Sequence, residues 1–268
     1  VRELRAGAFL ARSRKSCEKQ NYLVCSEITG VATIKIVKLL IEDECYVDYT
    51  LLPKYVFLKD GIYVGADLQI GKNTSIAPLT VIGDNVQIGD NCKIESSVYI
   101  GSGTVIGNNV TIRSGSKIGS DALYYTKYEE KYDVFVGVGI VIIADCVEIG
   151  SNTVIQRGTF SNTCIAECTK IGDMVDIGHD VKIGENCRIN SQSGIAGNSI
   201  IGNRVCIYGQ VGISDFVSVG DDAVIMARTV ISKPVKQRTT VSGNNGWEHR
   251  EELRFQAYMR KQFRKNNR

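Results

Sequence analysis

The sequence predicts an all-β solenoid of short parallel strands stacked along one axis. The first observation is a period of six, because an isoleucine or valine rung recurs at every sixth position through three long runs. The second is a small or β-branched residue two places before most rungs, the spacing of side chains on one face of a strand. The third is a glycine after many rungs, which permits the turn that must follow each strand. The runs span residues 64–118, 143–155 and 165–231.

The period also predicts the shape of the solenoid. Three six-residue steps close a triangular coil, so the 25 rungs make about eight coils, and at the strand spacing of about 4.8 Å the prism is roughly 40 Å long. Over about residues 62–232 the pattern resembles the hexapeptide-repeat proteins. That resemblance implies a left-handed parallel β-helix, whereas parallel crossovers in general are right-handed.

The first element in chain order is residues 1–58, which lack the period. Strand-like runs and one proline predict a small N-terminal α/β cap, which either protects the first coil or recognises a substrate. Charges interrupt every apolar run near the start, so we expect no signal peptide. The longest apolar run is too short and too charged to span a bilayer, and we expect a cytoplasmic protein without a membrane span.

The β-helix itself is expected over residues 59–232, with two excursions. The period breaks in the tyrosine-rich segment 119–142 and again at 157–164, and such insertions must leave the prism as loops. The tyrosine-rich loop is expected either to contact a substrate or to pack on a neighbouring subunit.

The last segment, residues 233–268, is predicted to be a linker followed by an α-helix. Pro234 is expected to end the ladder, and Phe255, Met259 and Phe263 recur at helical spacing. Residues 228–268 contain eleven Lys plus Arg against three Glu, a net charge of +8. The basic tail is either a solvated helix face or a dock for an acidic carrier protein or a phosphate group.

The overall composition excludes several classes of function. A net charge of +3 says little about nucleic acid, but the sequence shows no aromatic-interleaved basic groove, so no nucleic-acid partner is expected. Nine unpatterned cysteines indicate reduced thiols rather than a disulfide framework. Cys164 and Cys168 form a single CxxxC without a second pair, and two histidines are too few for a zinc hydratase of the γ-carbonic anhydrase type, so no metal site is predicted.

The candidate catalytic residue is His179, one of those two histidines. It lies two places after the rung Ile177, past the turn, and therefore on an outer edge of the prism. Gly197 and Asp215 follow at intervals of 18, so they should lie on the same edge. A histidine can accept a proton from an attacking amine, and the Gly197 N–H could stabilise an oxyanion. A non-catalytic binding solenoid is the rival reading.

The segment 145–213 resembles the UDP-3-O-acylglucosamine N-acyltransferases of lipid A synthesis and their relatives that N-acylate nucleotide-linked amino sugars. The resemblance implies that His179 is the general base and that the Gly197 amide serves the oxyanion. It further implies a homotrimer with active sites between subunits, and C-terminal helices that help to bind an acyl carrier protein. The carboxylate that orients His179 is left open among Asp173, Asp176 and Asp180, of which the first two join the candidate catalytic set.

Further candidate residues are assigned to the two substrates. The candidates for binding the nucleotide sugar are Tyr124, Tyr125, Tyr128, Arg157 and Asp180. The candidates for binding the acyl donor are Gly197, Asp215, Phe216, Lys233 and Arg238.

The sequence also departs from the lipid A enzymes. Phe216 stands in place of a second histidine, Gly172 and Gln156 each replace an aspartate, and DIGHD at 176–180 replaces QIAHN. The front segment is about half as long as their uridine-binding domain. These departures favour an N-acyltransferase for nucleotide-linked amino sugars of surface glycans such as O-antigen, using acetyl-CoA, a short acyl-CoA or an acyl carrier protein. The alternative is the lipid A enzyme itself, with a long 3-hydroxyacyl donor.

Overall fold

The structure, a computed structural model, describes residues 61–243 and 249–266, together with three short strands at 7–9, 23–25 and 56–57. Within these residues the chain passes in rotation through three sheets and forms a parallel β-helix followed by one α-helix. The predicted all-β solenoid and the C-terminal helix are confirmed. The strands are numbered in chain order.

Sheet 1 consists, in pairing order, of β3 (Val56–Phe57), β4 (Tyr63–Val64), β7 (Val81–Ile82), β10 (Tyr99–Ile100), β13 (Lys117–Ser120), β18 (Val154–Gln156), β21 (Asp176–Ile177), β24 (Gly194–Ile195), β27 (Gly212–Ile213) and β30 (Val230–Ile231). Sheet 2 consists of β5 (Gln69–Ile70), β8 (Gln87–Ile88), β11 (Val105–Ile106), β16 (Val141–Ile143), β19 (Thr163–Ile165), β22 (Lys182–Ile183), β25 (Ile200–Ile201) and β28 (Ser218–Val219). Sheet 3 consists of β6 (Ser75–Ile76), β9 (Lys93–Ile94), β12 (Thr111–Ile112), β17 (Glu148–Ile149), β20 (Lys170–Ile171), β23 (Arg188–Ile189), β26 (Cys206–Ile207), β29 (Val224–Ile225) and β31 (Thr240–Val241).

Three further elements complete the description. The strands β1 (Gly7–Phe9) and β2 (Leu23–Cys25) pair antiparallel, and β14 (Tyr125–Tyr128) and β15 (Lys131–Val134) form an antiparallel hairpin. The helix α1 spans His249–Asn266. Apart from β1, β2 and β3, the predicted N-terminal cap at 1–58 lies outside the described residues. None of the described helical segments is long and apolar enough to span a membrane.

The core is the column of rungs inside the prism. Ile177 and Ile155 are fully buried, and from Ile82 onward every rung belongs to the buried core. Burial of an isoleucine side chain contributes about 1.5–3 kcal/mol, so the column is the main source of stability. The first coil is more open, and Ile70 in it is 46% exposed; Val235 and Val241 in the last coil are partly buried.

The ladder continues past the predicted end at residue 232. Val235 forms a bridge with Val219, and β31 pairs with β29 one coil earlier. Pro234 does not interrupt this ladder because the donor is the next residue: the Val235 N–H donates to the Ser218 carbonyl at 2.9 Å. The expectation that Pro234 ends the ladder was therefore wrong.

The two predicted excursions leave the prism at the same corner. Segment 121–140, which contains the β14–β15 hairpin, connects β13 to β16, and segment 157–162 connects β18 to β19. Both therefore run from sheet 1 to sheet 2. One coil further on, the turn 178–181 makes the same connection between β21 and β22. The fold thus stacks two long loops directly beside the turn that contains His179.

Candidate active site

The turn after β21 buries a histidine and an aspartate together. His179 and Asp180 are each only 5% exposed, and the His179 Nδ1 lies 2.9 Å from the Asp180 Oδ2. Asp180 has φ of 61°, in the left-handed region that aspartate and asparagine enter more readily than most residues. The repeat therefore supplies a turn in which an aspartate can follow the histidine.

Loop 157–162 surrounds the Asp180 carboxylate with donors. The Thr159 N–H donates to Oδ2 at 2.9 Å, and the Phe160 and Ser161 N–H groups donate to Oδ1 at 3.1 and 2.6 Å. The Thr159 hydroxyl also donates to Oδ2. Burial by itself would raise the pKa of Asp180, but the hydrogen bonds from His179, Thr159 and the loop backbone outweigh it and hold that pKa well below its usual range.

This environment determines which nitrogen of His179 is basic. An ionised Asp180 can only accept hydrogen bonds, so the His179 Nδ1 must carry the proton that it shares with Oδ2. The neutral imidazole then has its lone pair on Nε2. Asp180 thus holds the ring in one tautomer and one orientation.

The Gly197 backbone lies against the imidazole ring. A Cβ added to Gly197 would lie 2.5 Å from both Cε1 and Nε2 of His179, so no larger residue fits without displacing the ring. Among the described residues, nothing accepts a hydrogen bond from the Gly197 N–H. The site therefore combines a basic nitrogen with a nearby unpaired backbone donor.

An aromatic wall closes one side of the histidine. Tyr124 meets the His179 ring edge to face, with the ring centroids 5.2 Å apart. Tyr124 also packs edge to face on Phe135 and Phe160, at 5.7 and 6.2 Å. Both long loops therefore contribute rings to this wall. Tyr124 contacts the His179 ring of its own chain.

A cavity of about 430 Å³ opens in front of His179 and Gly197. Its floor is the outer face of sheet 1, and its lining includes Asp176, Gln156 and Asp215. The Gln156 amide lies 3.5 Å from the Asp176 carboxylate and accepts a hydrogen bond from the Leu123 N–H at 3.0 Å. Partial burial raises the pKa of Asp176, and the hydrogen bond from the Gln156 amide only partly opposes this shift. The residue as a whole is exposed in the single chain.

Of the three carboxylates considered for orienting His179, only Asp180 contacts it. Asp173 lies in the turn between sheets 3 and 1, where it accepts a hydrogen bond from the Ser151 N–H at 2.7 Å. Asp176 is the outward residue of β21 and faces the cavity. Asp173 is therefore at a different corner of the prism from the histidine.

The remaining candidate residues lie in different places, some near His179 and others on the surface or at another corner of the prism. Arg157 is buried with its Nε donating to the Gly139 carbonyl at 2.9 Å. Tyr125 is exposed on the hairpin, and the side chain of Tyr128 lies outside the described residues. Phe216 is exposed, beside Asp215. Arg238 lies in the turn between sheets 2 and 3, 4.0 Å from Asp222.

Lys233 continues the edge that begins at His179. It comes 18 residues after Asp215, and β30 pairs with β27 in the register of the earlier coils. The edge therefore presents His179, Gly197, Asp215 and Lys233 in succession. In the part of the chain that the structure describes, no cluster of three metal-binding side chains occurs.

Sequence reasoning missed the residues that build the surroundings of His179, namely Thr159, Phe160, Ser161 and Phe135. The signal that could have placed them is the position of the interruptions. Ile118 and Ile155 both precede a break, and both are sheet 1 rungs, as is Ile177 before His179. Because every third rung falls on the same sheet, counting the rungs places the two breaks and the histidine at the same corner of the prism.

Comparison with known proteins agrees with this architecture. Residues 85–120 match the family described as bacterial transferase hexapeptide (six repeats). The chain is 38% identical over 150 residues to the UDP-3-O-acylglucosamine N-acyltransferase of Wolinella succinogenes, covering 56% of this chain and 47% of that protein. It is 40% identical over 152 residues to the enzyme of the same name from Campylobacter concisus, covering 56% and 48%. The chain thus spans about half the length of these curated relatives.

Solved structures of acyltransferases also superpose on this chain. The UDP-N-acetylglucosamine acyltransferase of Francisella novicida superposes with a TM-score of 0.64 at 30% identity, covering 69% of this chain and 66% of that one. A UDP-N-acetylglucosamine acyltransferase from Bacteroides fragilis superposes with a TM-score of 0.61 at 28% identity, covering 70% and 71%. In its repeat, its fold and these likenesses, the chain resembles the hexapeptide-repeat left-handed β-helix proteins, and the relatives that it matches are named acyltransferases of nucleotide sugars.

Proposed function

We propose that the protein is an N-acyltransferase that moves an acyl group from a phosphopantetheine thioester to the amine of a nucleotide-linked amino sugar. The observation that carries the proposal is the His179–Asp180 pair beside the unpaired Gly197 N–H, at the head of an open cavity. Acyl transfer to an amine requires a base and a hydrogen-bond donor for the oxyanion, both directed into the same cavity.

The chemistry assigns each group one task. The amine nitrogen attacks the thioester carbonyl carbon, and the His179 Nε2 takes the proton that the nitrogen loses as the C–N bond forms. The carbonyl oxygen becomes an oxyanion and accepts the Gly197 N–H. The C–S bond then breaks, the imidazolium returns its proton to the departing thiolate, and the products are an amide and a thiol. Asp180 is a positioning residue that stabilises the imidazolium without taking its proton.

The donor is proposed to lie along the edge beyond Gly197. Asp215 lines the cavity, Phe216 is 74% exposed beside it, and Lys233 stands one coil further. The lysine is suited to a phosphate of CoA or of a carrier-bound phosphopantetheine. Arg238 lies at another corner, so we propose that it contacts a carrier protein rather than the pantetheine arm.

The assembly is proposed to be a homotrimer acting in the cytoplasm, where acyl thioesters are available. Large apolar side chains remain exposed on the single chain, among them Val230 at 77%. A neighbouring subunit seated on the edge of sheet 1 would cover them and turn the open cavity into a closed groove.

The acceptor is proposed to be a nucleotide-linked amino sugar of a surface glycan. The alternative is UDP-3-O-(3-hydroxyacyl)glucosamine of lipid A synthesis, and the names of the relatives at 38 and 40% identity favour it. Phe216, which is exposed and stands in place of a second histidine of the lipid A enzymes, favours the first reading.

The test is a matrix of donors and acceptors. The purified protein is incubated with UDP- and dTDP-linked amino sugars, with acetyl-CoA in one series and 3-hydroxyacyl carrier protein in the other, and product masses are measured. An acetyl gain on an amino deoxysugar supports the glycan reading. A hydroxyacyl gain on acylated UDP-glucosamine alone supports the lipid A reading, and no acyl gain on any amine contradicts both.

A further inference from the structure

Asp176 remains without a role once Asp180 is seen to orient His179. It is the outward residue of β21, the strand that runs directly into the turn of His179. On sheet 1 its neighbours in register are Val154 in the preceding coil and Gly194 in the following coil. Asp176 and His179 line the same cavity, so the carboxylate faces the space in which the acceptor must react.

The cavity has an unusual charge for a site that handles nucleotides and CoA. Its lining contains two carboxylates, Asp176 and Asp215, and among the described residues no lysine or arginine lines it. In the described part of the chain no cation forms an ion pair with Asp176, and the neutral Gln156 amide lies 3.5 Å from its carboxylate. An anionic phosphate would be repelled here, whereas a cationic group would be attracted.

The cavity floor beside Asp176 carries no side chains at its next two positions. The next two outward positions on sheet 1 are Gly194 and Gly212, and a Cβ added to either would meet no atom of the described residues within 4 Å. No packing contact with the described part of the chain therefore requires glycine here, and a glycine in a strand interior often marks the close approach of a ligand. The Asp176 carboxylate therefore lies at one end of an open groove whose floor is formed by Gly194 and Gly212.

We propose that Asp176 binds the amino group of the acceptor in its protonated form and makes the site selective for amines over hydroxyls. The inference rests on the proposed function and assigns the feature of the acceptor that the site recognises. Most of a sugar's primary amine is protonated near neutral pH, so the incoming group is a cation. The Gln156 amide NH₂ lies 3.5 Å from the same carboxylate, and the Leu123 N–H donates to the Gln156 amide oxygen at 3.0 Å.

The reaction balances with this binding mode. The bound ammonium first releases one proton to solvent, and the neutral amine then attacks and gives its second proton to His179. The net change is an ammonium and a thioester converted into an amide, a thiol and one free proton. A hydroxyl acceptor carries no charge, so it can donate a hydrogen bond to the Asp176 carboxylate but forms no ion pair with it, and it binds more weakly.

The test compares Asp176→Asn with the wild type on matched acceptors that differ only in amine or hydroxyl. UDP-glucosamine with UDP-glucose is one pair, and dTDP-4-amino-4,6-dideoxyglucose with dTDP-6-deoxyglucose is another. A hydrogen bond to a charged group is worth enough that KM for the amine should rise roughly 10- to 100-fold in the variant. KM for the donor should change less than about threefold, and binding of the hydroxyl analogue, measured by calorimetry, should be unchanged.

The control is Glu185→Gln, which removes the same charge from an exposed turn outside the cavity. Its kinetic constants should match the wild type. If the wild type acylates an amine and Asp176→Asn retains the wild-type KM for it, this inference is overturned while the proposed function stands. If the wild type acylates no amine, the proposed function fails first. Equal loss of amine and hydroxyl binding would show a role in shaping the cavity and would also overturn the inference.

Discussion

At the scale of single residues, His179 depends on a carboxylate that loop 157–162 supplies with donors. Four hydrogen bonds from Thr159, Phe160 and Ser161 converge on Asp180, in addition to the one from His179. A carboxylate satisfied this fully remains ionised in a buried site. The ring orientation and the loop conformation are therefore maintained by the same group.

Asp180→Asn should lower both activity and stability. The amide has one acceptor oxygen instead of two and presents an NH₂ to backbone donors, so the ring loses the partner that fixes its tautomer. We expect kcat to fall by roughly 10- to 1000-fold, and the free energy of unfolding to fall by about 2–4 kcal/mol. Steady-state kinetics and denaturant titration measure the two effects. Asp145→Asn, which changes a half-buried carboxylate at another corner, is the control.

The pH dependence of the same pair follows from the sign of the pKa change. The pKa of Asp180 is lower in the folded chain than in the unfolded one. Its stabilisation is therefore complete above the ordinary aspartate pKa of about 4 and is lost as the pH falls toward the folded value. The stability difference between the wild type and Asp180→Asn should be constant from pH 7 to about pH 5 and should narrow below about pH 4. A difference that shrank between pH 7 and 5 would contradict this.

Gly197→Ala should disable the site without unfolding the coil. The new Cβ would lie 2.5 Å from the Cε1 and Nε2 of His179, so the ring must move away from the Gly197 N–H, the proposed oxyanion donor. We expect kcat to fall by roughly 100-fold or more, because misplacement by about 1 Å has a cost of that order. Gly209→Ala is the matched control, because Gly209 occupies the same repeat position at another corner and its Cβ would meet only the Ser191 carbonyl, at 3.3 Å.

At the scale of elements, stability is expected to follow the burial of each rung rather than its residue type. Ile177 in β21 is fully buried and Ile70 in β5 is 46% exposed, although both occupy the same repeat position. Ile177→Ala should lower the free energy of unfolding by about 2–5 kcal/mol, and Ile70→Ala by much less. Denaturation midpoints measure both, and equal effects would contradict the assignment of the core.

The strands could be predicted from the sequence because one rule determines them. Side chains at i−2 and i point inward, and glycine permits the turn, so the period alone predicts β21 and its rung Ile177. The surroundings of Asp180 could not be predicted in this way. Thr159 and Ser161 belong to an inserted loop without periodicity, and their hydrogen bonds depend on the path of its backbone.

At the scale of the whole molecule, the proposed active site is confined to one corner of a regular prism. Hairpin segment 121–140, loop 157–162 and turn 178–181 all connect sheet 1 to sheet 2 in successive coils. A stiff solenoid fixes their spacing, so the loops can enclose His179 without a second domain. The sequence predicted the edge shared by His179, Gly197 and Asp215 because that edge is set by the period alone.

The most direct test of the account is the rate of amine acylation by His179→Ala. With an amino sugar that the wild type acylates, the variant should lose kcat by roughly 100- to 10,000-fold, while KM for both substrates changes little because the cavity walls are unaltered. His249→Ala, which changes the other histidine at the start of α1, should retain full activity. A His179→Ala protein that kept most of its turnover with ordinary KM values would show that this histidine is not the base.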